Sequence, residues 1–319
     1  MKVGVCLKHI FIVNPQAGKC DATEAVKKAT ETLDIECEVY RSKHRGDATE
    51  FVKSFASTGE KYRVYACGGD GTLNEVVSGA VGNDNISVSV YPCGSGNDFI
   101  KYYGDVSEFL DIESLVNGVD TKIDVMKVNG KYAVNMVHFG FDTACLKTML
   151  KVRRKKIIGG KNAYTTGVIT ALVNGMKHYC TVKGDGKVLG RKKMLLCTIG
   201  NGKYVGGKYK CAPLSDNADG LMEVCHVGTV SRLNFIRLIG AYADGSHLTD
   251  KRFEKYVNYA RGQVVEVEAE PGKVLSYSID GELNYAEKFK VEIIKQTVNF
   301  TVPQKIAEKF EREEKAVVH

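Results

Sequence analysis

Apolar positions in the first third of the chain fall into short runs, each followed by an amphipathic stretch. Residues 10–13 form an apolar run that stops at Asn14-Pro15, a turn signal. Asp21, followed by Glu24 and then Ala25 and Val26, reads as a helix start of capping-box type. A second strand is predicted over 35–40, and Asp47 with Glu50 opens a second helix by the same logic. A third strand covers 63–67, Thr72 with Glu75 opens a helix over 73–80, and a fourth strand covers 86–91. Strand-helix alternation with short connections predicts a doubly wound, mostly parallel sheet.

From about residue 127 the period changes. Residues 263–270 alternate, with Val265, Val267 and Ala269 on one face, and 289–293 behave alike. Residues 194–199 form a further apolar run. Turn pairs separate these segments: Asn129-Gly130, Asp185-Gly186, Asp219-Gly220 and Asp280-Gly281. The region therefore reads as largely antiparallel β, with helices expected around 163–176 and 232–243. The predicted organisation is an α/β domain over 1–126, a β-rich domain over 127–303 and a charged tail or frayed helix over 304–319.

Composition narrows the function. The 319 residues suffice for two cores, and 44% are apolar. A net charge of +7 is too small to mark a nucleic-acid binder, and Trp is absent, so no nucleic-acid partner is expected. The excess would still draw the protein weakly to anionic surfaces. None of the ten cysteines forms a CxxC pair, and several sit in apolar runs. They read as small buried hydrophobes in a reducing compartment. Charge breaks the first apolar stretch, Met1 to His9, almost at once, and no run approaches ~20 apolar residues. The expected location is cytoplasmic, with only peripheral membrane contact.

The most informative segment is Cys67-Gly68-Gly69-Asp70-Gly71-Thr72-Leu73-Asn74-Glu75, where a strand ends and a helix begins. In an open α/β sheet ligands bind at such edges. Glycines let the backbone approach phosphate oxygens, and the helix N-terminus adds positive potential. Asp70 would repel phosphate unless magnesium lay between them. The same residues also make an ordinary tight turn. A second loop, Tyr91-Pro92-Cys93-Gly94-Ser95-Gly96-Asn97-Asp98-Phe99, repeats the pattern after a strand. A third, Asn14-Pro15-Gln16-Ala17-Gly18-Lys19, follows the first strand but is no Walker A motif.

Together these loops resemble the diacylglycerol kinase catalytic domain, and most nearly the soluble bacterial lipid kinases. Sphingosine and ceramide kinases are more distant relatives. Ala212-Pro213 with Asp219-Gly220, and Asp280-Gly281-Glu282, extend the resemblance over residues 10–302. The Gly68–Thr72 element alone is shared with NAD kinases and, loosely, phosphofructokinases.

The resemblance implies an ATP-dependent, magnesium-dependent kinase acting on a lipid alcohol such as diacylglycerol, with its active site between the two domains. Gly68, Gly69, Asp70, Gly71, Thr72 and Leu73 would form the nucleotide loop, with Asn14, Pro15 and Gly18 beside it. Ser42, Ser95 and Asn97 would add nucleotide contacts, Ser42 and Ser95 standing where Thr is usual. Asp70, Asp98 and Asp124 match a carboxylate network around the catalytic magnesium. Asp219, with carbonyls at Asp216 and Leu221, matches a structural magnesium site. Glu282 matches the general base, and Asp70 shares the catalytic role. Ile100-Lys101 departs from the family's usual Ala-Arg. Without the resemblance, Asp280-Gly281-Glu282 and Asp219-Gly220 read as turns with exposed acids. The run Lys151-Val152-Arg153-Arg154-Lys155-Lys156-Ile157-Ile158 is either a solvated loop or a dock for anionic membrane. The acceptor lipid and the oligomeric state stay open, with a homodimer among the options. The rivals are an NAD kinase-like enzyme and a catalytically silent lipid- or nucleotide-binding protein.

Overall fold

The structure, a computed structural model, describes residues 7–94, 96–153, 170–173, 175–191 and 193–317. Two compact units emerge: Met1–Val125 with Lys295–His319, and Met126–Ile294.

The first unit contains β1 (Leu7–Val13), α1 (Thr23–Thr30), β2 (Cys37–Arg41), α2 (Asp47–Lys53), β3 (Lys61–Gly68), α3 (Asp70–Ala80) and β4 (Ile86–Pro92). The four strands are parallel in the order β2-β1-β3-β4. Phe11, Ile12, Val13, Val64, Tyr65, Ala66 and Cys67 are fully buried. Burial of both faces explains why these strands read as continuous apolar runs. Register fixes where they end. Val13 lies opposite Cys67 and Arg41, and Gly68 lies opposite Pro92. The loops after β1, β2, β3 and β4 therefore leave from one edge of the sheet.

The helix starts differ in detail from the sequence reading. The N-cap position of α1 is Ala22, without a side-chain cap. Asp21 instead accepts from the Thr23 N–H at 3.0 Å and pairs with Arg41. Helix α2 begins at Asp47 behind a left-handed Gly46, φ 86°. The Asp47 carboxylate turns back to the Lys43 N–H at 2.8 Å and the Tyr40 hydroxyl at 2.9 Å. Both acids close loops, the alternative that short polar side chains offer to capping. Helix α3 starts at Asp70, two residues before Thr72.

Beyond β4 come two 3-10 turns, α4 (Ile112–Val116) and β5 (Val119–Val128). Arg63 of β3 is buried and donates to the Val116 carbonyl at 2.6 Å and to Asp120 at 3.1 Å. Asp120 also accepts from the Ser87 and Thr301 hydroxyls, while the buried Arg63 Nε has no partner among the described residues.

The second unit is mainly antiparallel. It holds β6 (Lys131–Ala133), β7 (Met136–Gly140), α5 (Phe141–Arg153), β8 (His178–Gly184), β9 (Lys187–Gly190), β10 (Lys193–Gly200) and β11 (Met222–Gly228). There follow α6 (Arg232–Asp244), β12 (Val257–Gly262), β13 (Val264–Ala269), β14 (Leu275–Ile279), β15 (Glu282–Ala286) and β16 (Lys288–Val302). One run of pairs is β15-β14-β7-β10-β11-β12 and another is β8-β13-β16. Three of the four predicted turn pairs are two-residue hairpin turns with both residues at positive φ: Asn129-Gly130, Asp185-Gly186 and Asp280-Gly281. Asp219-Gly220 differs: Gly220 alone has positive φ, and the pair ends a loop before β11.

Strand β16 shows where the sequence boundary at 303 differs from the structure. Gln296 takes a left-handed φ of 45° and donates its N–H to the buried Asp124 carboxylate at 2.7 Å. Past that kink, Asn299 and Phe300 pair in parallel with Ser87 and Val88 of β4, so residues from Lys295 onward belong to the first unit. Of the residues read as a charged tail or frayed helix, Gln304–Val317 form α7. Its Ile306 is buried, and Lys305 pairs with Asp111. Of the helix expected over 163–176, residues 170–173 are helical and most of the rest lies outside the described residues. Among the described residues no helix is long and apolar enough to cross a membrane.

Candidate active site

Three glycine loops meet at the edge of the first unit's sheet. The Gly68 carbonyl accepts from the N–H groups of Cys93, at 2.9 Å, and Gly94, at 3.0 Å. A Cβ at Gly94 would lie 2.8 Å from the Gly69 nitrogen and would overlap the Gly69 Cα. Gly18, at φ 76°, faces the Cys93 carbonyl so closely that a Cβ there would also overlap it. Asn14 ties the third loop in: its N–H donates to the Cys67 carbonyl at 3.1 Å, and its Nδ2 donates to Thr72 Oγ1 at 3.1 Å. Ser42 is buried beside them, its N–H on the Val13 carbonyl at 2.9 Å.

Asp70 links the first loop, to which it belongs, to the second. Its Oδ1 accepts from the N–H groups of Asp98, at 2.7 Å, and Phe99, at 3.2 Å. Its Oδ2 faces Gly96, where a Cβ would lie 2.8 Å away, and the same Cβ would sit 3.7 Å from Asp98 Oδ2. Asp70 and Asp98 thus share the space beside Gly96. Lys101 holds the other Asp98 oxygen at 2.6 Å, which gives the departure at Ile100-Lys101 a concrete role. Asn97 takes a left-handed φ of 50° and donates Nδ2 to the Gly94 carbonyl at 3.1 Å. Its Oδ1 is buried without a partner among the described residues.

Helix α3 begins here with Gly69 at its N-cap and no side-chain cap, the Thr72 and Leu73 N–H groups donating to the Gly69 carbonyl. Uncapped amides, aligned dipoles and glycine backbone make a site for anionic oxygens. Two carboxylates and an unanswered amide oxygen could hold a hard cation beside them, in the way magnesium is held by few carboxylates plus substrate phosphates. Asp124 lies in β5 and answers Gln296. Ser95 and residues 154–158 of the basic run lie outside the described residues.

In the second unit the Asp280-Gly281 turn sets Ile279 opposite Glu282, the first residue of β15. Asp280 accepts from three consecutive backbone N–H groups: Val134 at 2.7 Å, Asn135 at 3.1 Å and Met136 at 2.7 Å. The turn is therefore clamped to the β6–β7 junction, and half-buried Glu282 is carried on a fixed frame. Asn135 and Asn201 complete that frame: Asn201 Nδ2 donates to the Val134 carbonyl at 2.8 Å, and Asn135 Nδ2 to the Tyr204 carbonyl at 3.0 Å. Sequence reading missed both asparagines, although a polar amide inside the apolar run at Asn135 was a usable signal.

Asp219 has a partner on each oxygen. One oxygen accepts from the Leu221 N–H at 2.9 Å and the other pairs with Arg261. Asp216 accepts from the Ala218 N–H at 3.0 Å. Among the described residues no group of three or more His, Cys, Asp and Glu is placed to hold a metal ion. The Arg261 guanidinium meets the Asp219 carboxylate, the group that the resemblance assigns to a structural magnesium together with the Asp216 and Leu221 carbonyls. Glu223, buried behind them, has its carboxyl pushed up by burial while the Tyr259 hydroxyl and the Leu214 N–H pull the other way.

A second pair went unread in the sequence. His138 of β7 and Asp142 at the start of α5 face each other at 3.9 Å, with His138 Nδ1 and Asp142 Oδ2 buried and unbonded among the described residues. Burial holds His138 down to about 4 and pushes Asp142 up to about 7.

This is an α/β unit with three glycine loops at its sheet edge, joined in one chain to an antiparallel unit that carries a framed glutamate. Residues 8–128 match the family described as Diacylglycerol kinase catalytic domain, and residues 135–302 match the YegS C-terminal NAD kinase beta sandwich-like domain. The chain belongs to this diacylglycerol and lipid kinase family. It is 30% identical over 287 residues to the diacylglycerol kinase of Bacillus subtilis, covering 85% of this chain and 88% of that one. It is 28% identical over 253 residues to a Pseudomonas aeruginosa protein named "Probable lipid kinase YegS-like", covering 78% of each. In fold it resembles the crystal structure of a diacylglycerol kinase from Bacillus anthracis, with a TM-score of 0.66, 20% identity, and 95% of this chain and 98% of that one covered.

Two outcomes follow. Gly94→Ala forces a methyl group into the Gly69 backbone, which cannot move aside as a side chain could. The expected cost is about 2–3 kcal/mol in unfolding free energy; denaturant melts read it. The folded Asp142 carboxyl holds a proton that the unfolded one, with its ordinary value of 3.8, gives up first. Its contribution to stability therefore falls as pH rises from about 4 to about 7 and stays low above. Asp142→Asn should raise the melting temperature more at pH 8 than at pH 5, and equal shifts would contradict the burial argument.

Proposed function

We propose that this protein is an ATP-dependent lipid kinase that moves the γ-phosphate onto the hydroxyl of a lipid alcohol, of which diacylglycerol is the type. The observation that carries the reading is the backbone-to-backbone contact of the three glycine loops at the uncapped start of α3. Phosphoryl transfer is mainly positioning and charge stabilisation, so a rigid bed of amides is what the reaction needs. The backbone N–H groups of the turn at Gly69–Gly71 would take the phosphate oxygens, those of Thr72 and Leu73 donating to the Gly69 carbonyl. Asn14 and Thr72, bonded to each other, would border the bed, with Ser42 nearby. Asp70 cannot swing away, because two backbone N–H groups hold one of its oxygens.

Asp70, Asp98 and the Asn97 amide oxygen would hold a magnesium ion, which when bound offsets the negative charge of the phosphates. Asp124 holds the Gln296 N–H with one oxygen and would belong to the same carboxylate network. On the acceptor side, the lipid hydroxyl is a weak nucleophile until its proton is removed, and Glu282 would take that proton. Its clamp through Asp280 limits how far the carboxylate can drift. An acceptor carried in a bilayer requires the enzyme to reach an anionic membrane surface, for which the positive net charge is suited.

The test is transfer of labelled phosphate from ATP with magnesium to diacylglycerol, phosphatidylglycerol, a sphingoid base and NAD, using wild type and Glu282→Gln. The expected result is label on a lipid in wild type and a loss of at least about hundredfold in the variant. Label on NAD alone would replace the reading with a dinucleotide kinase. No label, with ATP still bound, would replace it with a silent binder.

A further inference from the structure

Helix α6, Arg232–Asp244, is packed on one side only. Its inward residues are Phe235, Leu238 and Ala241. Phe235 joins a core with Phe141, Ala171, Leu195 and Cys225. Its outward residues break the rule for a solvated helix. Leu233 is 57% exposed and Ile236 62% exposed, neighbours at i and i+3 on one face. Val173 is 57% exposed beside the start of the helix, where Arg232 donates to the Leu172 and Val173 carbonyls at 2.6 Å. Single exposed apolar residues need no explanation, but three large ones grouped around one helix end do.

The charges on the helix are one-sided. Arg232 and Arg237 are both exposed, and the helix carries no acid before its last residue, Asp244. Neither arginine makes an ion pair among the described residues. A protein partner, including a second copy of this chain, would have to cover two guanidinium groups to reach the apolar residues, and the stripe itself holds no carboxylate to meet them. A bilayer meets both demands at once. Leucine, isoleucine and valine enter the boundary of the acyl region, while the arginines stay level with lipid phosphates.

We infer that the outer face of α6, with Val173, is the surface by which this protein docks on an anionic membrane. The inference deepens the lipid-kinase reading by naming where the bilayer is met. It is independent of the basic run at 151–156.

The chain has no Trp, so Ile236→Trp introduces the only indole. Mixed with phosphatidylglycerol–phosphatidylcholine vesicles in the absence of ATP, this variant should shift its emission to the blue and be quenched by brominated acyl chains. The double variant Leu233→Ser/Ile236→Ser, whose changes are at exposed positions, should bind those vesicles about tenfold more weakly in flotation. Its activity on lipid in detergent micelles and its mass in solution should stay unchanged. An unshifted indole, or unchanged flotation of the double variant, overturns the inference. So does a fall in solution mass, which would assign the face to a second copy. Because binding is read without nucleotide, a failed kinase assay leaves this test standing.

Discussion

The position of every group at the proposed nucleotide site depends on one packing contact, backbone against backbone between Gly69 and Gly94. A side chain at Gly94 would drive the two loops apart, and the Gly68 carbonyl would lose its bonds from Cys93 and Gly94. The loop after β1 rests on the same platform through Gly18 and the Cys93 carbonyl. Three loops from three parallel strands are thus fixed by van der Waals exclusion before any ligand arrives. Such exclusion is stiff, because close-packed backbone has no rotamer into which it can relax.

Carboxylates do the remaining positioning. Asp70 holds the Asp98 and Phe99 amides, Asp124 holds Gln296 at the kink of β16, and Asp280 holds three amides at the β6–β7 junction. A charged acceptor bonded to backbone N–H groups is among the stronger hydrogen bonds available. In Asp70 one carboxylate does two things: one oxygen fixes the loop and the other is turned toward Gly96 and the site. In Asp280 the clamp belongs to one residue and the proposed chemistry to Glu282, two positions on.

Much of this was legible in the chain. Apolar runs, turn pairs and glycine loops located the parallel strands, three hairpins and the sheet edge, because burial of both faces and left-handed turns leave direct marks on residue type. Helix starts were less legible at Asp21 and Asp47, since an acid that closes a loop and an acid that caps a helix look alike in sequence. The return of the chain to the first unit at Lys295 was invisible. It depends on a left-handed glutamine and a long-range pairing of β16 with β4, neither of which has a local signature. The motif carboxylates were found, but their division of labour was not. Arg261 at Asp219 and Gln296 at Asp124 are far along the chain from the acids they meet, and spacing cannot reveal them.

The most direct test of the central claim is backbone hydrogen exchange with and without ATP and magnesium. Amides of 68–73 and 93–99 should slow together on binding, with those of 14–18 following, because the three loops form one bed. Protection confined to a single loop, or to strands away from the β1–β3–β4 edge, would contradict it.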